Sequence, residues 1–135
     1  MIKSHVYTSR GEVSRLGLEF LGCGQGRKNG PPAMKDGRVL DCYALVYLSE
    51  GRGVFQSHSQ KKTVIGAGTA FHLFPGEWHS YGPEENGFWT EHWLMFDGDL
   101  IRHMHDRGHM DVKQPIIPTG QILDLGECFD AILRE

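Results

Sequence analysis

From Leu16 to Asp97 the apolar residues come in short runs broken by turn-forming residues. "LGLEFLGCG" alternates and then breaks at glycines, and "GQGRKNGPPAMKDG", beginning at Gly24, reads as loop because Gly, Pro and Asn dominate it. "DCYALVYLSEG" reads as a buried strand, and "RGVFQSH" and "KKTVIGAG" as strands flanking a turn at Ser57 to Gln60. "TAFHLF" runs into Pro75-Gly76, "HSYG" into "PEENG", and "FWTEHWLMFDG" is expected to be the longest strand. Short strands with turns every eight to twelve residues or so predict an all-β sandwich or barrel.

The tail has a different period. Asp99 is a candidate cap for a short helix carrying Leu100, Ile101 and Met104 and closed by Gly108. "QPIIP" predicts a brief extended segment. Beyond it, Ile122, Leu125, Phe129, Ile132 and Leu133 recur at helical spacing. That stripe reaches Glu135 without a C-cap signal, so the natural protein is expected to continue. The organisation expected is a β-barrel over residues 1–120 and the start of a helix over residues 121–135.

Composition narrows the possible partners. The chain has 135 residues, enough for one domain with its own core, and 39% hydrophobic and 23% charged residues. A formal net charge of −3 leaves no basic footprint for nucleic acid. The start, "MIKSHVYTSRGEVSR", lacks an apolar core for export, and no run approaches membrane-spanning length, so a cytoplasmic protein is expected. Cys23, Cys42 and Cys128 are odd in number and widely spaced, as reduced thiols would be.

Eight histidines raise the question of a metal. Barrels of the cupin kind hold one with HxH and a Glu on one hairpin and a further His on the next. Here the first hairpin offers only His58, with Gln60 where a second His is needed and no Glu before Gly66. His79 fits the later position, but one imidazole cannot hold a zinc or iron ion that wants three or more protein ligands. In "RHMHDRGHM", His103 and His105 point to different faces of a helix, and Gly108 separates His105 from His109, so a solvated surface is expected. No metal and no cofactor is therefore expected. There is no GxSxG elbow, no Cys beside a His, and "GCGQG" lacks the βαβ context of a phosphate loop.

A pocket remains. Alternation along "FWTEHWLMF" places Trp89, Glu91, Trp93 and Met95 on one face and Thr90, His92, Leu94 and Phe96 on the other. A carboxylate between indoles suits a polyol, whose C–H face covers the ring while its hydroxyls donate to the carboxylate. The same pattern also fits core tryptophans with Glu91 at the solvent edge.

Together these stretches resemble the N-terminal effector-binding domain of AraC-type transcription regulators. "DCYALVYLSEGRGVF" resembles that family's strand-turn-strand with its glycine turn, and "GTAFHLFPGEWHSYGPE" its G-x-x-x-x-x-x-P…H-x-Y hairpin. "FWTEHWLMFDG" resembles its W…W-x-x-F-x-G strand, and "PIIPTGQ" its exit from the barrel. The resemblance implies a mainly β, cupin-like (double-stranded β-helix) barrel with a C-terminal α-helical segment. It implies a small polar effector, often a sugar, bound without metal or catalysis, and a homodimer in the full-length regulator. DNA would be bound only through a C-terminal helix-turn-helix domain, which lies outside this chain. By resemblance Arg38, Tyr81, Glu91 and Trp93 contact ligand, and His79 of "H-x-Y" joins this ligand-binding set as a barrel-lining residue at the pocket mouth. The residues before Leu16 are a candidate movable arm over the mouth. The competing expectations are a small metal-dependent cupin enzyme (an isomerase or dioxygenase) and a free-standing sugar-binding module.

Overall fold

The computed structural model describes residues 3–6, 17–30 and 36–118 of the chain. Strand β3 (Tyr43–Ser57) carries the architecture, because its two halves belong to two different layers. Its first half pairs antiparallel with β5 (Thr69–Leu73) and β7 (Phe88–Asp97). Its second half pairs antiparallel with β4 (Thr63–Gly66) and β6 (His79–Pro83). Beyond β7 lie β2 (Glu19–Asn29) and β1 (Lys3–Val6), and β8 (Ile116–Pro118) borders β5. The result is an antiparallel barrel, as the strand spacing predicts.

The expected glycine turn after "DCYALVYLSEG" is instead a bend in one continuous strand. The register against β7 shifts between Leu48 and Glu50, and Gly51 follows at φ 86°. A Cβ on Gly51 would run into the Phe88 carbonyl oxygen, and one on Gly53 into that of Gly82, with the Trp89 ring 2.8 Å away. The bend therefore needs bare backbone on both sides of the buried Trp89. β3, at 15 residues, is also longer than β7, at 10, which the sequence had marked as the longest strand.

The stretch from Gly24 that read as loop is strand through Asn29. Its glycines mislead because they alternate: Gly22, Gly24 and Gly26 pair with Met95, Trp93 and Glu91 of β7. Cross-strand partners share a face, so three large side chains on β7 stand beside three positions with none on β2. The next residue on that face is Lys28.

The main core lies between the layers and contains Val46, Leu48, Phe55, Phe71, Leu73, Tyr81 and Trp89. A second cluster, Tyr43, Phe74, Ile101 and Met110, seats helix α1 (Asp99–Asp106) on the barrel. The helix begins at Gly98, φ 123°, rather than being capped by Asp99. Asp97 secures this corner: its carboxylate accepts from the Gly98 N–H at 2.8 Å and pairs with Arg102 at 3.2 Å. Asp99 sits in the first turn, where its charge suits the positive end of the helix. Gly108, at φ 85°, follows the helix end as expected. The expected helix over residues 121–135 and the arm before Leu16, apart from β1, lie outside the described residues.

Gly51 and Gly76 both have positive φ, but a Cβ on Gly76 would meet nothing within 4 Å. Gly76→Ala should cost only the left-handed strain, about 1–2 kcal/mol. Gly51→Ala adds a backbone collision and should cost at least about 2 kcal/mol more. Urea denaturation of both variants measures the difference; equal losses would mean that the bend does not depend on that close approach.

Candidate functional site

Between the two layers is a cavity of about 230 Å³, walled by Lys28, Arg38, Leu40, Ala44, Val46, Leu73, Tyr81, Glu91, Trp93 and Met95. β7 supplies one wall, and the alternation read from sequence holds there: Glu91, Trp93 and Met95 face the cavity while Trp89 closes the core beside them. Leu40, Ala44, Val46 and Leu73 provide an apolar floor, and the polar groups gather at one side.

Arg38 reaches the site through a short bridge rather than a strand. Its N–H donates to the His79 carbonyl at 2.9 Å, and the His79 N–H donates back to Arg38 at 3.0 Å. Gly37, at φ 74°, lies so close beneath the Trp78 indole that a Cβ there would overlap the ring. The Trp78 N–H donates to the Asp36 carbonyl at 3.1 Å, which fixes the segment from its other side.

This anchoring aims the guanidinium at β6. Arg38 Nε donates to His79 Nε2 at 3.1 Å, and an Nη donates to the Tyr81 hydroxyl at 2.8 Å. His79 is 1% exposed; because its Nε2 faces a donor, its proton sits on Nδ1, which points to the Glu77 carbonyl at 3.3 Å. Burial and the adjacent Arg38 charge lower its pKa to about 4, so the imidazole is neutral at physiological pH. Burial and the nearby Glu91 charge raise that of Tyr81, which stays a phenol able to donate.

Glu91 is 2% exposed, and its burial is matched by partners. Oε1 accepts from Trp89 Nε1 at 2.9 Å and meets Lys28 Nζ at 3.2 Å. This decides between the two patterns left open by the sequence: Glu91 is an interior carboxylate, not a solvent-edge one.

Arg38, Tyr81, Glu91 and Trp93, singled out from sequence, thus meet on one cavity. His79, expected at the ligand site, stands one layer behind instead, gripping Arg38, and borders a separate hollow of about 10 Å³. Sequence reasoning placed Met95 on this face of β7 but missed Lys28, Leu40 and the floor residues Ala44, Val46 and Leu73. The glycine alternation ending at Lys28 was the available signal, hidden by reading the stretch as loop.

The histidines whose side chains are described do not converge. Among the described residues no three His, Cys, Asp or Glu side chains are grouped to hold a metal ion. His58 is exposed on its turn, and the His79 Nε2 lone pair is taken by a guanidinium that would repel a cation. His105 departs from the expected solvated surface. Its Nδ1 lies 2.9 Å from the Tyr43 hydroxyl, and its ring packs on Tyr43 and Phe74 at 5.7 and 4.9 Å. No described helix is long and apolar enough to cross a membrane.

Solved structures share the fold. The protein YhaK from Escherichia coli superposes with a TM-score of 0.58 at 17% identity, over 73% of this chain and 45% of that one. A cupin protein from Bacteroides fragilis gives 0.50 at 8% identity, over 60% and 66%. Oxalate decarboxylase from Bacillus subtilis gives 0.47 at 17%, over 72% and 25%. This chain therefore spans less than half of YhaK, and at these identities the likeness establishes the cupin fold alone. No curated protein matches the sequence. A family model described as the AraC-like ligand binding domain matches residues 34–135, from just before Arg38 through every strand that walls the cavity except β2, and the chain belongs to that family.

Proposed function

We propose that this chain is the effector-sensing part of an AraC-type transcription regulator, taking a small polar ligand of the sugar class into its cavity without catalysis. Occupancy would shift the balance between two arrangements of the regulator and so control DNA binding by a helix-turn-helix domain of the longer protein. Such a shift requires that the ligand bind one arrangement more tightly than the other. The observation that carries the proposal is the β7 wall, where an indole, Trp93, and a buried, partnered carboxylate, Glu91, face one cavity. At about 230 Å³ the cavity is below the roughly 300–1,000 Å³ of drug-sized sites, which suits a monosaccharide. A binding rather than a catalytic role is supported by the fixed partners of the polar groups: His79 is committed to Arg38, and Glu91 to Trp89 and Lys28.

A thermal-shift panel of monosaccharides tests the site. A ligand at a hundredfold its Kd stabilises by about 2.7 kcal/mol. Trp93→Ala and Glu91→Gln should each remove most of that shift while leaving a cooperative transition. An undiminished shift in both variants would place the ligand elsewhere.

His79 must stay neutral for Arg38 to keep its place. Its folded pKa, about 4, lies below the ordinary value near 6.5, so between these values only the unfolded chain takes up the proton. The stability this neutral histidine contributes is complete above pH 6.5 and is lost as pH falls towards 4, by up to about 3 kcal/mol. His79→Gln should flatten the stability profile in that window, as measured by urea titrations at stepped pH; an unchanged slope would assign the acid sensitivity to another group.

The metalloenzyme alternative is tested by elemental mass spectrometry of tag-free protein beside His79→Ala. Well under one equivalent of iron, manganese, nickel or zinc is expected in both. Near-stoichiometric metal that the variant loses would replace the sensor with an enzyme.

A further inference from the structure

The polar side of the cavity has an unbalanced charge. Lys28 and Arg38 bring two positive charges to its wall and Glu91 one negative charge. Lys28 is engaged with Glu91 at 3.2 Å. No carboxylate among the described residues pairs with Arg38, whose two hydrogen bonds go to neutral acceptors, His79 Nε2 and the Tyr81 hydroxyl. A guanidinium has five N–H donors, so three remain without a partner among the described residues.

Arg38 is itself exposed at the rim, but an arginine that was merely solvated there would need none of the surrounding machinery. Here a histidine 1% exposed and a tyrosine 4% exposed hold the guanidinium on two edges. A two-way backbone bridge fixes its Cα, and Gly37 packs under Trp78 to set the approach. Both acceptors are kept uncharged: burial and Arg38 itself hold His79 neutral, and burial keeps Tyr81 protonated. Neutral acceptors orient a cation without cancelling its charge, which leaves the charge available to a ligand. Orientation also matters more for arginine than for lysine, since the planar fork matches a carboxylate through two parallel bonds.

Resting on the sensor reading above, we infer that the effector is a monocarboxylate, an acidic sugar such as a uronate or aldonate. Its carboxylate is received by Arg38, and its hydroxylated body lies against Trp93 with Glu91 as hydroxyl acceptor. The cavity's formal sum of +1 (Lys28 and Arg38 against Glu91) is balanced by a single negative charge. The Tyr81 phenol proton is a further donor to the same end of the ligand. A phosphorylated sugar, near −2, would leave excess negative charge beside the buried Glu91 carboxylate.

Isothermal titration calorimetry on the 135-residue chain tests this with D-glucuronate, D-galacturonate, D-gluconate and D-galactonate. D-glucose, D-galactose and D-glucose 6-phosphate serve as comparisons. At least one acid should bind ten times or more tighter than its neutral parent. Arg38→Gln should abolish that preference, and Arg38→Lys, which keeps the charge but not the fork, should restore only part of it. If a neutral hexose binds as well as its acid, the carboxylate assignment fails and the sensor reading stands. The assignment also fails if the phosphate binds tightest, or if the acid keeps its advantage in a folded Arg38→Gln protein. If no member of the panel binds, both fail together.

Discussion

One strand has to belong to two sheets, and much else in this molecule follows from how it does so. β3 begins beside β5 and β7 and finishes beside β4 and β6, and it changes layer where backbone from β6 and β7 closes on Gly51 and Gly53. Trp89 packs into that crossing, fully buried. Two residues further along β7, Glu91 accepts the Trp89 indole proton, and two further still Trp93 faces the cavity. The residue packed into the bend, its carboxylate partner and the cavity wall are therefore successive positions on one face of β7.

The polar side of the cavity works by pairing each charged group with a partner that fixes its position. Glu91 is interior but has an indole N–H and an ammonium to hold it. Arg38 is set by two groups that burial keeps uncharged, and Arg38 in turn suppresses protonation of His79. Unpaired buried charge would destabilise the fold by several kcal/mol. The arrangement avoids this by leaving Arg38, which has no ionic partner among the described residues, at the accessible rim.

Much of the barrel was legible because alternation is a physical signal: residues that alternate between core and solvent must sit on a pleated strand. For that reason the alternation put Glu91, Trp93 and Met95 on one face of β7, as the structure has them, while leaving open whether that face was pocket or core. Three features were not legible. Glycine carries no hydrophobicity, so the alternation of Gly22, Gly24 and Gly26 looked like loop composition, and Lys28 was lost with it. Gly51 looked like a hairpin turn because a bend between sheets and a reversal of the chain both call for the same residue. His79 was placed on the barrel lining, but whether a side chain faces a cavity or backs another side chain is decided by Arg38, some forty residues away in the chain. Pairings at that separation leave no local pattern.

The interior of this barrel is shaped partly by what β2 omits. Three positions on its inner face have a hydrogen atom where most strands have a side chain, opposite Met95, Trp93 and Glu91. Any residue other than glycine at these places would stand beside the groups of β7 that face the cavity. Every glycine codon is one base from alanine and from valine, and two of the four are one base from serine and from cysteine. Side chains can therefore be introduced beside Met95, Trp93 and Glu91 one mutation at a time, from a strand that at these three positions has none.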